Sequence, residues 1–191
     1  MAENTNPTTV AYVVDTTQSV ILWEGTKPAG KHDGNVKLKQ GNITVDATTL
    51  RPLGGTIEVD MTSIDDFDQT GSLKQMLLEH LTGPDFFEKD LYPTSTLKLT
   101  SVGDSPDAQG NYTVHGDLTI KGQTHDIVFL ASYRVDASTG EITVQTAPIK
   151  LDRTIWNITF GSKNIFKHLA NFIIDDIFTV SAKVVLVKAT D

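Results

Sequence analysis

The sequence predicts an all-β fold: an antiparallel sheet that closes into a barrel of about eight strands, with one short helix near an opening. Three observations carry this. Apolar and polar residues alternate with period two in segment after segment. Turn residues recur at short intervals between those segments. A single stretch, 72–81, switches to helical spacing. A long antiparallel sheet leaves two unpaired edges unless it closes on itself, which favours a barrel; two packed sheets would satisfy the same pattern.

The elements follow in chain order. Residues 1–9 are polar and read as a flexible leader without an apolar signal core, so one domain spans 10–191. Strands are expected at 10–15 and 19–26, then at 32–40 and 43–50 with Gly41-Asn42 as a hairpin turn. In 56–64, Ile57, Val59 and Met61 face one way and Glu58, Asp60 and Thr62 the other. In the helix expected at 72–81, Leu73, Met76, Leu77 and Leu81 form an apolar face that should turn toward the barrel mouth, and Gly83-Pro84 ends it. Met76 suits a gate over irregular apolar space. Phe86-Phe87 and Tyr92-Pro93 lead into a strand at 95–102, where Leu97 and Leu99 alternate with Lys98 and Thr100. Strand 112–121 puts Tyr112, Val114, Gly116, Leu118 and Ile120 on one face. Gly122-Gln123 turns into 125–137; 138–140 turns into 141–151; strands near 156–160 and at 177–188 close the series. The inner face should therefore carry Ile57, Val59, Met61, Leu97, Leu99, Leu118 and Ile120. Alternation does not separate a filled core from a lined tunnel.

Composition sets further bounds. A chain of 191 residues holds one sizeable core. The net charge of −8 argues against a nucleic-acid partner, which would require clustered Lys and Arg. The absence of cysteine removes disulfides, thiolate metal sites and a Cys nucleophile. No apolar run is long enough for a membrane-spanning helix.

Several motifs, in order, resemble the YceI-like family of lipocalin-like polyisoprenoid-binding proteins. After the helix, His80-Leu81, Asp85-Phe86-Phe87 and Tyr92-Pro93 match its H-L-x-S-x-D-F-F-x-x-x-x-Y-P pattern, with Thr82-Gly83-Pro84 replacing the small polar linker. Trp23-Glu24-Gly25, Gly30 and His32-Asp33-Gly34 resemble its W-x-G and G-x-H-x-G elements. Gly54 to Ile57 with Ser63-Ile64, and Val114 to Gly122, resemble two of its strands. Asp152-Arg153 and Trp156 stand at its late D-R motif, where the usual glycine is replaced by Asn157 nearby and Gly161 further on.

The resemblance implies a lipocalin-like barrel that binds, and carries or stores, an isoprenoid or other long-chain lipid. The expected binding set is the inner face above, completed by Trp23, Met76, Leu77, Phe86, Phe87 and Phe129. Phe86 and Phe87 have two readings of equal standing, ligand contact or a staple for the lid. No cofactor is implied beyond the bound lipid. Transient membrane contact and a homodimer are the partners it suggests. Exported relatives imply a periplasmic or envelope location with the signal peptide absent from this chain; a cytoplasmic start is the alternative.

The alternatives are a filled stress-response or structural domain, and an enzyme built on Asp152, Arg153 and a histidine. No G-x-S-x-G elbow occurs. Asp66, Asp68, Thr70 and Gly71 begin like a calcium loop, but its twelfth position is Leu77, so the segment reads as a solvated loop before the helix. The five histidines, at 32, 80, 115, 125 and 168, lack a metal-binding spacing, although His115 and His125 could meet across a hairpin; no metal is expected. The glycines of 25–34 and 54–55 fit no phosphate loop and read as strand bends.

Overall fold

The computed structural model describes residues 8–162, 164–165 and 173–190. Most of the polar leader and His168 therefore lie outside the described residues. The strands are β1 (Thr9–Val14), β2 (Val20–Lys27), β3 (Gly30–Asp46), β4 (Pro52–Asp66), β5 (Thr94–Val102), β6 (Tyr112–Ile120), β7 (Gln123–Val135), β8 (Ile142–Thr146), β9 (Ile149–Asp152) and β10 (Ile177–Lys188). Helix α1 (Gly71–Thr82) separates β4 from β5, and a 3-10 turn (Arg153–Trp156) follows β9.

Neighbouring strands from β2 to β8 pair antiparallel in sequence order. The last strand closes the ring. One edge of β10 pairs with β2, from Phe178↔Gly25 to Lys183↔Val20. Its other edge pairs with β8 through Lys183↔Gln145 to Leu186↔Ile142, and with β9 through Ile177↔Asp152 to Val180↔Ile149. The result is a closed antiparallel barrel with eight staves, two of which are each made of two short strands. β8 and β9 share one stave, interrupted at Ala147-Pro148. β1 and β2 share the other: β1 pairs the far half of β3 from Thr9↔Asp46 to Val13↔Asn42, and β2 pairs the near half. Closure leaves no long unpaired edge, and the rival two-sheet sandwich is excluded.

Three expected elements come out differently. Gly41-Asn42 is not a turn, because β3 runs straight through it. Pairing slips beside it, between Leu38 and Gln40, where β3 exchanges β2 for β1 as its neighbour. A Cβ at Gly41 would stand 2.6 Å from Val14 Cγ2, so glycine permits the close approach of β1 there. The turn comes only after the merged strand, between Asp46 and Pro52. The second difference is at 156–160, where no strand forms. Asp152 accepts from the Thr154 amide at 2.9 Å, starting the 3-10 turn. Asn157 ends it in the left-handed region (φ 59°), the conformation for which glycine is the usual residue and Asn a tolerated one. The third concerns α1. Leu78 and Leu81 pack against the core, while Leu73 and Met76 are 61% and 65% exposed. Leu81 is thus inward as expected, but Leu78 takes the place of Leu73 and Met76 on the inward face, a shift toward the next position of the helix. Lys74 accounts for the shift: its ammonium donates to the Asp66 carbonyl at 2.7 Å and pairs with Asp65 at 2.7 Å, tying that side of the helix to the end of β4.

Candidate functional site: an apolar barrel interior

Inward positions on successive staves share one face, so their side chains converge on the barrel axis. Two adjoining cavities result, of about 160 and 140 Å³. The upper one lies away from α1, between Ile57 and Leu99 on one side and Phe129 and Val184 on the other. The lower one lies beneath α1, among Trp23, Met61, Leu81, Phe87 and Phe178. Ile21, Val59, Leu118, Leu151 and Val180 line both, so the two chambers adjoin. Each chamber matches an apolar protein cavity of roughly 150 Å³, a size that stays dry and takes up benzene.

The two chambers differ in their polar groups. The upper holds Tyr112, Ser132, Tyr133 and Thr146. Tyr112 and Tyr133 pack with ring centroids 5.4 Å apart, and burial, followed by the hydrogen bond to Tyr112, raises the Tyr133 phenol. In the lower, Ser95 is the one hydroxyl; it is 5% exposed and its Oγ has no partner among the described residues. Trp23, the other polar-tipped residue, directs its indole N–H outward to the carbonyls of Asn35 (3.2 Å) and Asp65 (3.1 Å). A Cβ on Gly34 would collide with the Asp65 carbonyl and the Trp23 ring, so Gly34 lets this wall close.

Of the residues expected to bind ligand, Ile57, Leu97, Leu99 and Phe129 line the upper chamber. Trp23, Met61, Phe87 and Ile120 line the lower, and Val59 and Leu118 line both. Met76, Leu77 and Phe86 line neither. For Met76 the reason is the rotation of α1, and Leu81 takes the position over the lower chamber. Phe86 is buried in a separate cluster with Trp156, Ile120, Leu151 and Ile158. Its ring meets the edge of His80 at 4.9 Å and lies 5.8 Å beneath the Arg153 guanidinium. The aromatic pair is thus divided: Phe86 staples the segment after the helix, and Phe87 faces the cavity. Wall residues beyond the expected set come mainly from β7 (Ile127, Ala131, Tyr133) and β10 (Phe178, Val180, Ala182, Val184, Leu186). Their period-two spacing carried the same signal as that of β4 to β6.

Asp152 and Arg153 are occupied by structure. Arg153 is 3% exposed and donates to the carbonyls of Ile158 (2.7 Å), Ile174 (3.0 Å) and Asp175 (3.0 Å). It also meets the Asp176 carboxylate at 3.4 Å. Asp152 caps the 3-10 turn. His115 pairs in register with Val128, and His125 with Leu118, so the two histidines do not oppose each other across the β6–β7 hairpin. His125 instead packs edge-on against Trp156 at 5.5 Å.

A closed eight-stave antiparallel barrel around an apolar interior is an architecture of the lipocalin type. Within it, the chain belongs to the YceI-like family, whose domain model matches residues 12–186. UPF0312 proteins of Vibrio cholerae serotype O1 are 30% identical over 93 residues, covering 49% of this chain and 45% of theirs. The match thus spans about half the length of these curated relatives. The crystal structure of Burkholderia cenocepacia BcnA is similar in fold, with TM-score 0.66 and 18% identity over 93% of this chain and 99% of that one. A polyisoprenoid binding domain from Saccharophagus degradans, implicated in plant cell wall breakdown, superposes with TM-score 0.66 and 13% identity over 94% of this chain and 99% of its own.

Proposed function

We propose that this protein binds an isoprenoid or another long-chain lipid, with the apolar tail threaded along the barrel axis through both chambers. The observation that carries the reading is that two small apolar cavities adjoin, with Ile21, Val59, Leu118, Leu151 and Val180 lining both, so together they extend further along the barrel than either alone. A linear chain fits such an extended space better than a compact ligand does. The polyisoprenoid-binding neighbour supports the same class of ligand. No covalent chemistry is required, since Asp152 and Arg153 have structural partners. The same reading makes the protein a carrier at the cell envelope that meets membranes transiently to load and unload.

Burial supplies the driving force at about 0.8 kcal/mol per CH₂. About a dozen carbons, what two benzene-sized chambers hold, would nominally contribute about 10 kcal/mol. Ordering a flexible tail offsets much of that, which leaves exchange reversible. Organic extraction of purified protein followed by mass spectrometry tests the reading. A stoichiometric long-chain lipid is the expected result. A chain that yields no lipid, and whose melting temperature does not rise with added prenyl alcohol, would be a filled-core domain.

A further inference from the structure

Outside the barrel interior, one side-chain cluster has no role in lipid binding. His32 on β3, Asp66 at the end of β4 and Asp68 in the loop before α1 each turn a possible ligand atom to the same point, all within 4.8 Å of one another. His32 Nδ1 lies 2.9 Å from Asp68 Oδ2. Asp66 is 1% exposed, and its Oδ1 has no hydrogen-bond partner among the described residues; Oδ2 accepts from the Gln69 amide at 2.8 Å. Asp68 is held by the Asp33 amide at 3.2 Å and the Gln69 side chain at 2.7 Å. A buried carboxylate oxygen without a donor is costly, and two carboxylates in one pocket repel unless a proton or a metal cation lies between them.

We infer that His32, Asp66 and Asp68 form a binding site for a divalent first-row metal ion such as zinc, which clasps the β4–α1 junction to the β2–β3 hairpin. One imidazole nitrogen and two carboxylate oxygens are a donor set suited to zinc, and a fourth position stays open to water. The residues come from two places 34 positions apart, which is why no local spacing announces them. Fixing the site requires small adjustments. Lys27 Nζ stands 2.9 Å from His32 Nε2, so a metal at Nδ1 moves the ring proton to Nε2 and turns the exposed lysine away. Lys74, already on the Asp66 carbonyl and the Asp65 carboxylate, stays in place. The clasp stands directly behind the lower chamber's wall, because Trp23 donates to the carbonyl of Asp65, the neighbour of Asp66. The inference is independent of the lipid reading.

The test uses the untagged chain, stripped with chelator and titrated calorimetrically with zinc chloride. Cobalt substitution, read by its visible absorption, reports a protein-bound site. One saturable equivalent is expected. His32→Gln and Asp68→Asn should each weaken it at least about tenfold, with the metal-free melting temperature of His32→Gln near wild type. His115→Gln should bind like wild type. If Asp66→Asn fails to fold, the His32 and Asp68 variants still decide the matter. No saturable uptake by wild type would mean that Asp66 and Asp68 share only a proton, and the proposal would be wrong. Equal affinity in wild type, His32→Gln and Asp68→Asn would overturn it as well.

Discussion

A methyl group at Gly34 would meet both the Asp65 carbonyl and the Trp23 ring, so one hydrogen atom sets how tightly β3 passes β4 at the lower chamber. Gly34→Ala should lose about 1–3 kcal/mol, as overpacked sites do, read as a lower urea midpoint at unchanged slope. The two phenylalanines separate by place. Phe86→Ala should cost about 3–5 kcal/mol yet keep the wild-type melting shift on adding a prenyl alcohol. Phe87→Ala should reduce that shift, because the lost ring faces the chamber and ligand binding stabilises by mass action. Equal shifts in all three proteins would remove Phe87 from the site. Ser95→Ala removes an unpartnered buried hydroxyl and should stabilise the lipid-free protein by about 1 kcal/mol in chemical denaturation. Acid acts at the exposed turns. Asp15 accepts from the Thr17 hydroxyl and the Gln18 side chain, and with the Thr17 amide these hold its carboxyl down to about 2. Its folded value lies below the unfolded one, so its stabilising contribution is present above about pH 3.9 and is lost as pH falls through about 2. A carbon-detected NMR titration of Asp15 with a midpoint near 4 would contradict this.

At the scale of elements, α1 meets the lower chamber through Leu81, and its orientation rests on Lys74 as much as on leucine. Leu78 and Leu81 lie inward; Leu73 and Met76 face solvent. Met76→Asp should therefore leave both the melting temperature and lipid retention near wild type. Leu81→Asp places a charge against the lower chamber and should lower both. Extraction and melting of the two variants would settle the orientation, and equal damage from both would reverse it. The long strand β3 shows a different kind of control. Gly41-Asn42 is a strong hairpin pair in isolation, yet here it lies in mid-strand. Two short partners, β1 and β2, pair successive halves of β3, and their hydrogen bonds outweigh the local turn preference.

For the whole molecule, empty apolar volume trades stability for capacity. Ala131 lines the upper chamber, and Ala131→Leu should fill part of it. The lipid-free protein should then melt higher while extracting with less lipid, a common exchange between stability and function. A lower melting temperature would mean that the chamber cannot accept the added carbons.

Alternation in β4, β5 and β6 was enough to name Ile57, Val59, Leu97 and Leu118 as inward-facing, because side-chain direction in a strand follows from the backbone alone. The all-β class and the single helix were legible for the same reason, and the motifs around Trp23, Phe86-Phe87 and Arg153 led to the family. Other features depend on residues far apart in sequence. Ring closure by β10, the sharing of one stave by β1 and β2, and the rotation of α1 toward Lys74 each require a distant partner to be in place. So does the meeting of His32 with Asp66 and Asp68. Whether inward side chains interlock or leave a path is also a tertiary matter, since it depends on the barrel's radius and on side chains from opposite staves. A local pattern specifies which way a residue points; only the closed barrel decides what it meets there.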